Sequence, residues 1–236
     1  MAVFIGRTIQ PQSEKLLREH GLEFKAQPLI ATDYCLPGDR FFQTRKKKPG
    51  AWIISSKNAA LWLLQYYQQI GFAKTDTIFC LSENQKTLLK KLGVKILVSE
   101  KKNSKSLEDL VKKKYRENCL VFLKGDRAEG FRYIRPLEIV VYRTTLLKPK
   151  IDKTYQLYLF FSPSGIESFS IAGNRLEPQA QIIAIGETTA QKARSVFSNQ
   201  VKTCFNQTEQ EMVKMAIYEA QKNNWIYENS TKQTVI

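Results

Sequence analysis

"LFFSPSGIESF" (Leu159–Phe169) joins an apolar run to a turn of small residues and then to a helix-period segment. The run from Tyr158 to Phe161 has no polar alternation, as expected of a strand covered on both faces. Ser162 stands where a helix N-cap belongs. Ile166 and Phe169 then begin an apolar stripe at helical spacing. A buried strand running straight into a helix is half of a parallel crossover. The same unit recurs as Val3–Gly21, Trp52–Gly71, Thr77–Gly93, Lys95–Tyr115, Cys119–Leu137, Tyr158–Gly173, Ile182–Phe197 and Val201–Ala220. The chain is therefore read as α/β, with parallel sheets of the flavodoxin-like kind.

Two segments break the alternation. Pro28–Tyr34 ("PLIATDY") and Glu138–Thr145 ("EIVVYRTT") are extended and β-branched, and no helix follows either. They are expected to pair as a two-stranded antiparallel β-ladder, a hinge between two α/β domains. An internal repeat supports that division. "WIISSKNAALWLL" resembles "LFFSPSGIESFSI", and "FCLSENQKTLLKKLGVKI" resembles "IAIGETTAQKARSVFSNQVKT". "NSKSLEDLVKKKY" likewise resembles "NQTEQEMVKMAIY", all three at nearly one offset. The expected domains are residues 1–26 plus 147–236, and 45–136, with hinge strands in 27–44 and 137–146.

Composition narrows the function without naming it. Among 236 residues, 37 Lys and Arg against 22 Asp and Glu give a formal charge of +15. That favours an anionic partner: nucleic acid, a membrane surface or a polyanionic small molecule. Much of the excess lies in Arg45–Lys48, Lys90–Lys91, Lys101–Lys102 and Lys112–Lys114, where a solvated surface is the favoured explanation of any single cluster. No aromatic-basic motif of an RNA module is visible. No apolar stretch reaches membrane-spanning length, and the start shows no signal-peptide pattern. Cys35, Cys80, Cys119 and Cys204 form no CxxC pair and are read as reduced core residues of a cytosolic protein.

The turns after the strands carry what chemistry there is. Each lies at a carboxyl end of a parallel sheet, where helix N-termini offer backbone N–H groups to anions. Ser162–Gly165 ("SPSG") and Gly186–Ala193 ("GETTAQKA") suit that use, or simply cap helices. Neither GxGxxG nor GxxxxGK[ST] is present, and no metal-ligand spacing exists. The single histidine, His20, sits at a helix end and is read as a C-cap. Lys124 and Arg127, in "FLKGDRAEGF", stand at another strand exit, to hold an anion or to form a plain polar loop.

"WIISSKNAA", "FLKGDR…VVYRTT", "LFFSPSGIESF" and "AIGETTAQKAR", in this order and spacing, resemble the uroporphyrinogen-III synthase family. The resemblance is most specific in the second half; "CLSENQKT" lacks the Gly and Thr-Ala of the family pattern. It implies two α/β domains, with the chain's start and end in one of them. It also implies a cofactor-free enzyme that closes hydroxymethylbilane, which carries eight carboxylates, to uroporphyrinogen III. Water is lost and ring D is inverted through a spiro intermediate. Tyr142, in "VVYRT", matches the family's candidate general acid; packing on the hinge is the alternative. A phenol's ordinary pKa of about 10 makes it a weak acid. Ser55, Ser56, Ser162, Ser164, Thr188 and Thr189 match substrate-cleft positions, and Ser82 and Gly186 open the related turns. Arg7 matches an early family arginine, while Asn58 stands where some members have one. The resemblance implies a cytoplasmic monomer that receives its substrate from hydroxymethylbilane synthase, without nucleic acid or membrane. A non-catalytic two-lobed module for an anionic small molecule is the other reading.

Overall fold

A computed structural model describes residues 2–36, 50–115 and 120–225. The Arg45–Lys48 cluster, Cys119 and the end of the tail lie outside the described residues. The chain divides into two compact units, Met1–Ala31 with Thr145–Ile236, and Thr32–Thr144.

The first unit holds β1 (Ala2–Ile5), α1 (Pro11–Glu19), β2 (Glu23–Ala26), β9 (Leu157–Phe160), α5 (Pro163–Ile171), β10 (Gln181–Ala184), α6 (Glu187–Val196), β11 (Gln200–Thr203) and α7 (Glu209–Lys222). Its five strands are all parallel, in the order β11-β10-β9-β1-β2. Counted along the unit this is the flavodoxin order 2-1-3-4-5. Every residue of β1 and β9 is buried. One face packs on Leu17, Met212, Val213 and Ile217; the other carries Phe4, Tyr158, Phe160 and Phe169 as an aromatic cluster. The sequence reading does not anticipate β2, whose four residues "EFKA" alternate between exposed and half-buried.

The second unit holds β3 (Ile30–Tyr34), β4 (Ala51–Ile54), α2 (Lys57–Tyr66), β5 (Thr77–Cys80), α3 (Glu83–Leu89), β6 (Lys95–Val98), α4 (Ser104–Lys114), β7 (Leu120–Gly125) and β8 (Leu137–Leu146). The sheet order is β3-β8-β7-β4-β5-β6. Remove β3, and β8-β7-β4-β5-β6 repeats the spatial order β2-β1-β9-β10-β11 of the first unit. One unit is thus a circular permutation of the other, which is why the sequence repeat aligns β4 with β9 and β5 with β10. Buried Asp76 ties the first turns of this sheet, accepting from Gly50 N at 2.7 Å, Trp52 Nε1 at 3.0 Å and Ala73 N at 2.9 Å.

Two expectations need correction. The sequence pattern predicts a strand plus a helix over residues 119–137, yet residues 126–136 contain no helix. Phe131 instead packs on Phe122, ring centroids 4.8 Å apart, and buried Glu108 accepts from Ile134 N at 2.8 Å and from Tyr133 N. These contacts replace the face a crossover helix would have covered. The second correction concerns β8, which is more than a lone ladder strand. Its first half pairs in parallel with β7, from Val121 opposite Leu137 to Gly125 opposite Tyr142, with a register shift between Lys124 and Gly125. Its far side meets β3.

Helix starts follow the sequence. Ser56, Ser82, Asn103, Ser162 and Thr208 each accept a backbone N–H at the N-terminus of their helix. Gly21 and Gly93, with φ of 65° and 66°, take the left-handed conformation that terminates α1 and the 3₁₀ turn Lys90–Leu92. His20 is the C-cap residue of α1, its Nδ1 2.9 Å from Leu16 O. Among the described residues no helix is long and apolar enough to cross a membrane.

Candidate active site

In the second unit three neighbouring strands, β7, β4 and β5, end side by side. Their exits carry Lys124 and Gly125, then Ser55 and Ser56, then Ser82. The register shift after Lys124 brings Tyr142 beside Gly125. Without it, the buried Val141 would hold that place. The Tyr142 hydroxyl donates to Ser56 Oγ at 3.1 Å, while Ser56 Oγ also accepts from Ala59 N at 3.1 Å. Its ring covers Gly125 so closely that a Cβ there would lie 2.5 Å from two ring carbons. Asp126 secures the following backbone: its N donates to Tyr142 O at 3.1 Å, and its carboxylate accepts from Thr144 N at 3.0 Å. Tyr142 is therefore a half-buried phenol fixed at a helix N-terminus.

Lys124 is less free than its position implies. Its Nζ lies 2.8 Å from Glu138 Oε2, and only 12% of its side chain is exposed. Gly130 leaves room for that carboxylate, since a Cβ there would meet Glu138 Oε1 at 2.5 Å. Arg127 is exposed in the loop beyond. Asn58 lies half-buried in the first turn of α2, and Ser82 caps α3 with Gln85 N at 3.4 Å. Cys80, one residue from that turn, has its thiol pushed up to about 11 by burial, so it stays protonated.

In the first unit the switch between β1 and β9 brings Arg7 and Ser162 to adjacent strand ends. Ser162 Oγ accepts from Gly165 N at 3.0 Å, and Ser164 lies in the same first turn. Arg7 stacks 5.2 Å from the Phe161 ring centroid and meets Glu209 at 3.8 Å. Glu209 also accepts from Gln10 N at 2.7 Å and Ser13 Oγ at 2.8 Å, so the start of α1 already holds one of the chain's own carboxylates. Sequence reasoning misses Glu209, because an acid in the first turn of α7 reads as serving that helix alone. The start of α6 differs from its neighbours. Its N-cap is Gly186, with no side-chain cap, and Gln207 lies where a side chain at 186 would go. Thr188 is exposed there and Thr189 is buried. The N-cap residue of this helix thus offers no side-chain acceptor to the backbone N–H groups of its first turn. Among the described residues no group of three or more His, Cys, Asp and Glu is placed to hold a metal ion.

Comparison with known proteins follows the same outline. The family model described as "Uroporphyrinogen-III synthase HemD" matches residues 12–214. No curated protein matches the chain. The crystal structure of uroporphyrinogen-III synthetase from Helicobacter pylori superimposes with a TM-score of 0.61 at 16% identity, covering 92% of this chain and 99% of that one. A mutant uroporphyrinogen III synthase from the extremely thermophilic bacterium Thermus thermophilus gives 0.65 at 12% identity, covering 94% and 99%. At such identities the superpositions speak for the fold. The family match spans most of both units and includes every strand end described above except that of β1, so the chain belongs to the uroporphyrinogen-III synthase family, cyclising lyases of tetrapyrrole biosynthesis.

Proposed function

We propose that Tyr142 is the acid in the family's reaction, the cyclisation of hydroxymethylbilane to uroporphyrinogen III with loss of water and inversion of ring D. The family match over residues 12–214 is the observation that carries the reaction. The placement of Tyr142 supports its role in it. The pyrrole nitrogen lone pair expels the terminal hydroxyl, which takes the phenol proton and leaves as water. Ser56 Oγ keeps its own proton, so the bond to Tyr142 can reverse and Ser56 can donate to the phenolate left behind. Positioned acids of this kind contribute about 10²–10⁴-fold.

The substrate's eight carboxylates need donors rather than nucleophiles. The uncapped turn at Gly186 and Thr188 supplies backbone N–H groups, with Thr189 closing the turn from its buried side. Ser55, Ser82, Ser162, Ser164 and Asn58 supply short polar groups at other strand ends. Arg7 and Lys124 bind substrate only by sharing with Glu209 and Glu138, and Arg127 adds charge from the loop. In this reading the protein works as a cytoplasmic monomer, takes its substrate from hydroxymethylbilane synthase, and uses no nucleic acid. Purified protein given hydroxymethylbilane should release the type III isomer; release of type I alone refutes the enzyme reading. Tyr142→Phe should lower turnover about 100-fold with the melting temperature retained. Unchanged turnover would remove the acid role.

A further inference from the structure

We propose that Tyr34 is a second phenol of the reaction site, binding the departing substrate hydroxyl together with Tyr142. The inference rests on the reading of Tyr142 above and adds a residue to it. Strands β3 and β8 are hydrogen-bonded neighbours. Leu147 N donates to Leu29 O at 3.0 Å, and Cys35 N donates to Val141 O at 2.9 Å. Residue numbers fall on one strand as they rise on the other, so the pairing is antiparallel. Counting inward from either bond places Tyr34 directly opposite Tyr142. Both bonds fall on odd-numbered pairs, which makes Tyr34 and Tyr142 a non-hydrogen-bonded pair. Side chains of such a pair leave the sheet on the same face, with Cβ atoms about 4.5 Å apart.

The two phenols are differently held. Tyr142 is half-buried and bonded to Ser56, whereas Tyr34 is 37% exposed. No hydrogen bond joins the two hydroxyls, both of which belong to described residues. A substrate oxygen that reaches Tyr142 can thus accept from Tyr34 as well. Burial, and then the neighbouring Tyr142, push the Tyr34 phenol above its ordinary value, which keeps it a neutral donor at working pH. A packing role alone would need only the ring. A shared oxygen needs the hydroxyl.

The test is a double-mutant cycle with Phe at both positions, which keeps each ring and removes each hydroxyl. Turnover of hydroxymethylbilane to the type III isomer is measured, with a thermal melt for each variant. Tyr34→Phe should lower kcat about 3–10-fold, the loss of one hydrogen bond, with KM changed less than about two-fold. With Tyr142→Phe added, the loss should exceed the product of the two single losses, because each phenol partly covers for the other on one oxygen. Normal kcat in Tyr34→Phe, or a double variant no worse than that product, overturns the proposal. Full kcat in Tyr142→Phe sinks the reading of Tyr142 itself, and the shared oxygen with it, whatever Tyr34→Phe does.

Discussion

Replacing Gly125 by Ala separates the position of Tyr142 from its chemistry. The added Cβ would stand 2.5 Å from Cε2 and Cζ of Tyr142 and 2.7 Å from its hydroxyl oxygen. Ordinary carbon contacts lie at about 3.5–4.0 Å, so the ring must retreat by about 1 Å. Gly125 is buried and its strand is hydrogen-bonded to β8, whereas the ring is the far end of a side chain, so the ring is what moves. It moves off Ser56, whose bond is already 3.1 Å long. Overpacking of this kind costs about 1–3 kcal/mol of stability. A displacement of about 1 Å at a reacting group can cost about 10²-fold in rate. The assay is uroporphyrinogen III formation alongside a thermal melt. Gly130→Ala is the comparison for the phenol's position: its Cβ would displace the Glu138 carboxylate paired with Lys124 but leave Tyr142 on Ser56. A folded Gly125→Ala protein with full turnover would refute the argument that the register of β7 on β8 aims the phenol.

Two further outcomes test the framework around the site. Leu29, buried against Gly6 and near Gly165, should lose about 2–5 kcal/mol of stability as Leu29→Ala, read by chemical denaturation. Burial raises the Cys80 thiol to about 11, so its protonated form favours the folded state. That contribution is whole below the unfolded thiol's pKa and is lost as pH rises through the folded one. Stability should therefore fall between about pH 9 and 11, and fall less in Cys80→Ala.

Much of this was legible in the sequence, for identifiable reasons. Strands such as "WII" and "LYLF" are buried on both faces, so their unbroken apolar runs announce a parallel sheet. Ser56, Ser82 and Ser162 could be read as helix starts because capping is local chemistry. β2 was not legible: it is an edge strand of four residues with no apolar run. The missing helix after β7 was not legible either. What displaces it is Glu108, a residue of α4 that takes Ile134 N from far along the chain. The pairings of Lys124 with Glu138 and Arg7 with Glu209 are tertiary in the same sense, and charge counting alone left both cations free.

The permuted repeat gives one more comparison, between Gly6 and Gly125. Each is a buried glycine at the exit of the strand that flanks the switch point, β1 in one unit and β7 in the other. Each is covered by a side chain from the segment after or within the next strand over. At Gly6 that side chain is Leu29, whose Cδ1 would lie 2.7 Å from an added Cβ; at Gly125 it is Tyr142. Both covering side chains also reach the first turn of the matching serine-capped helix: Leu29 is 3.6 Å from where a Cβ on Gly165 would sit, and Tyr142 meets Ser56. The seat recurs although the register does not: β1 and β2 pair without a shift, whereas β7 and β8 shift at Gly125. An apolar side chain at this place can only anchor the segment that carries it. A phenol at the same place is anchored by its ring and still presents a hydroxyl to the strand ends. The fold thus supplies a seat in each unit, and residue identity decides which seat carries a hydroxyl.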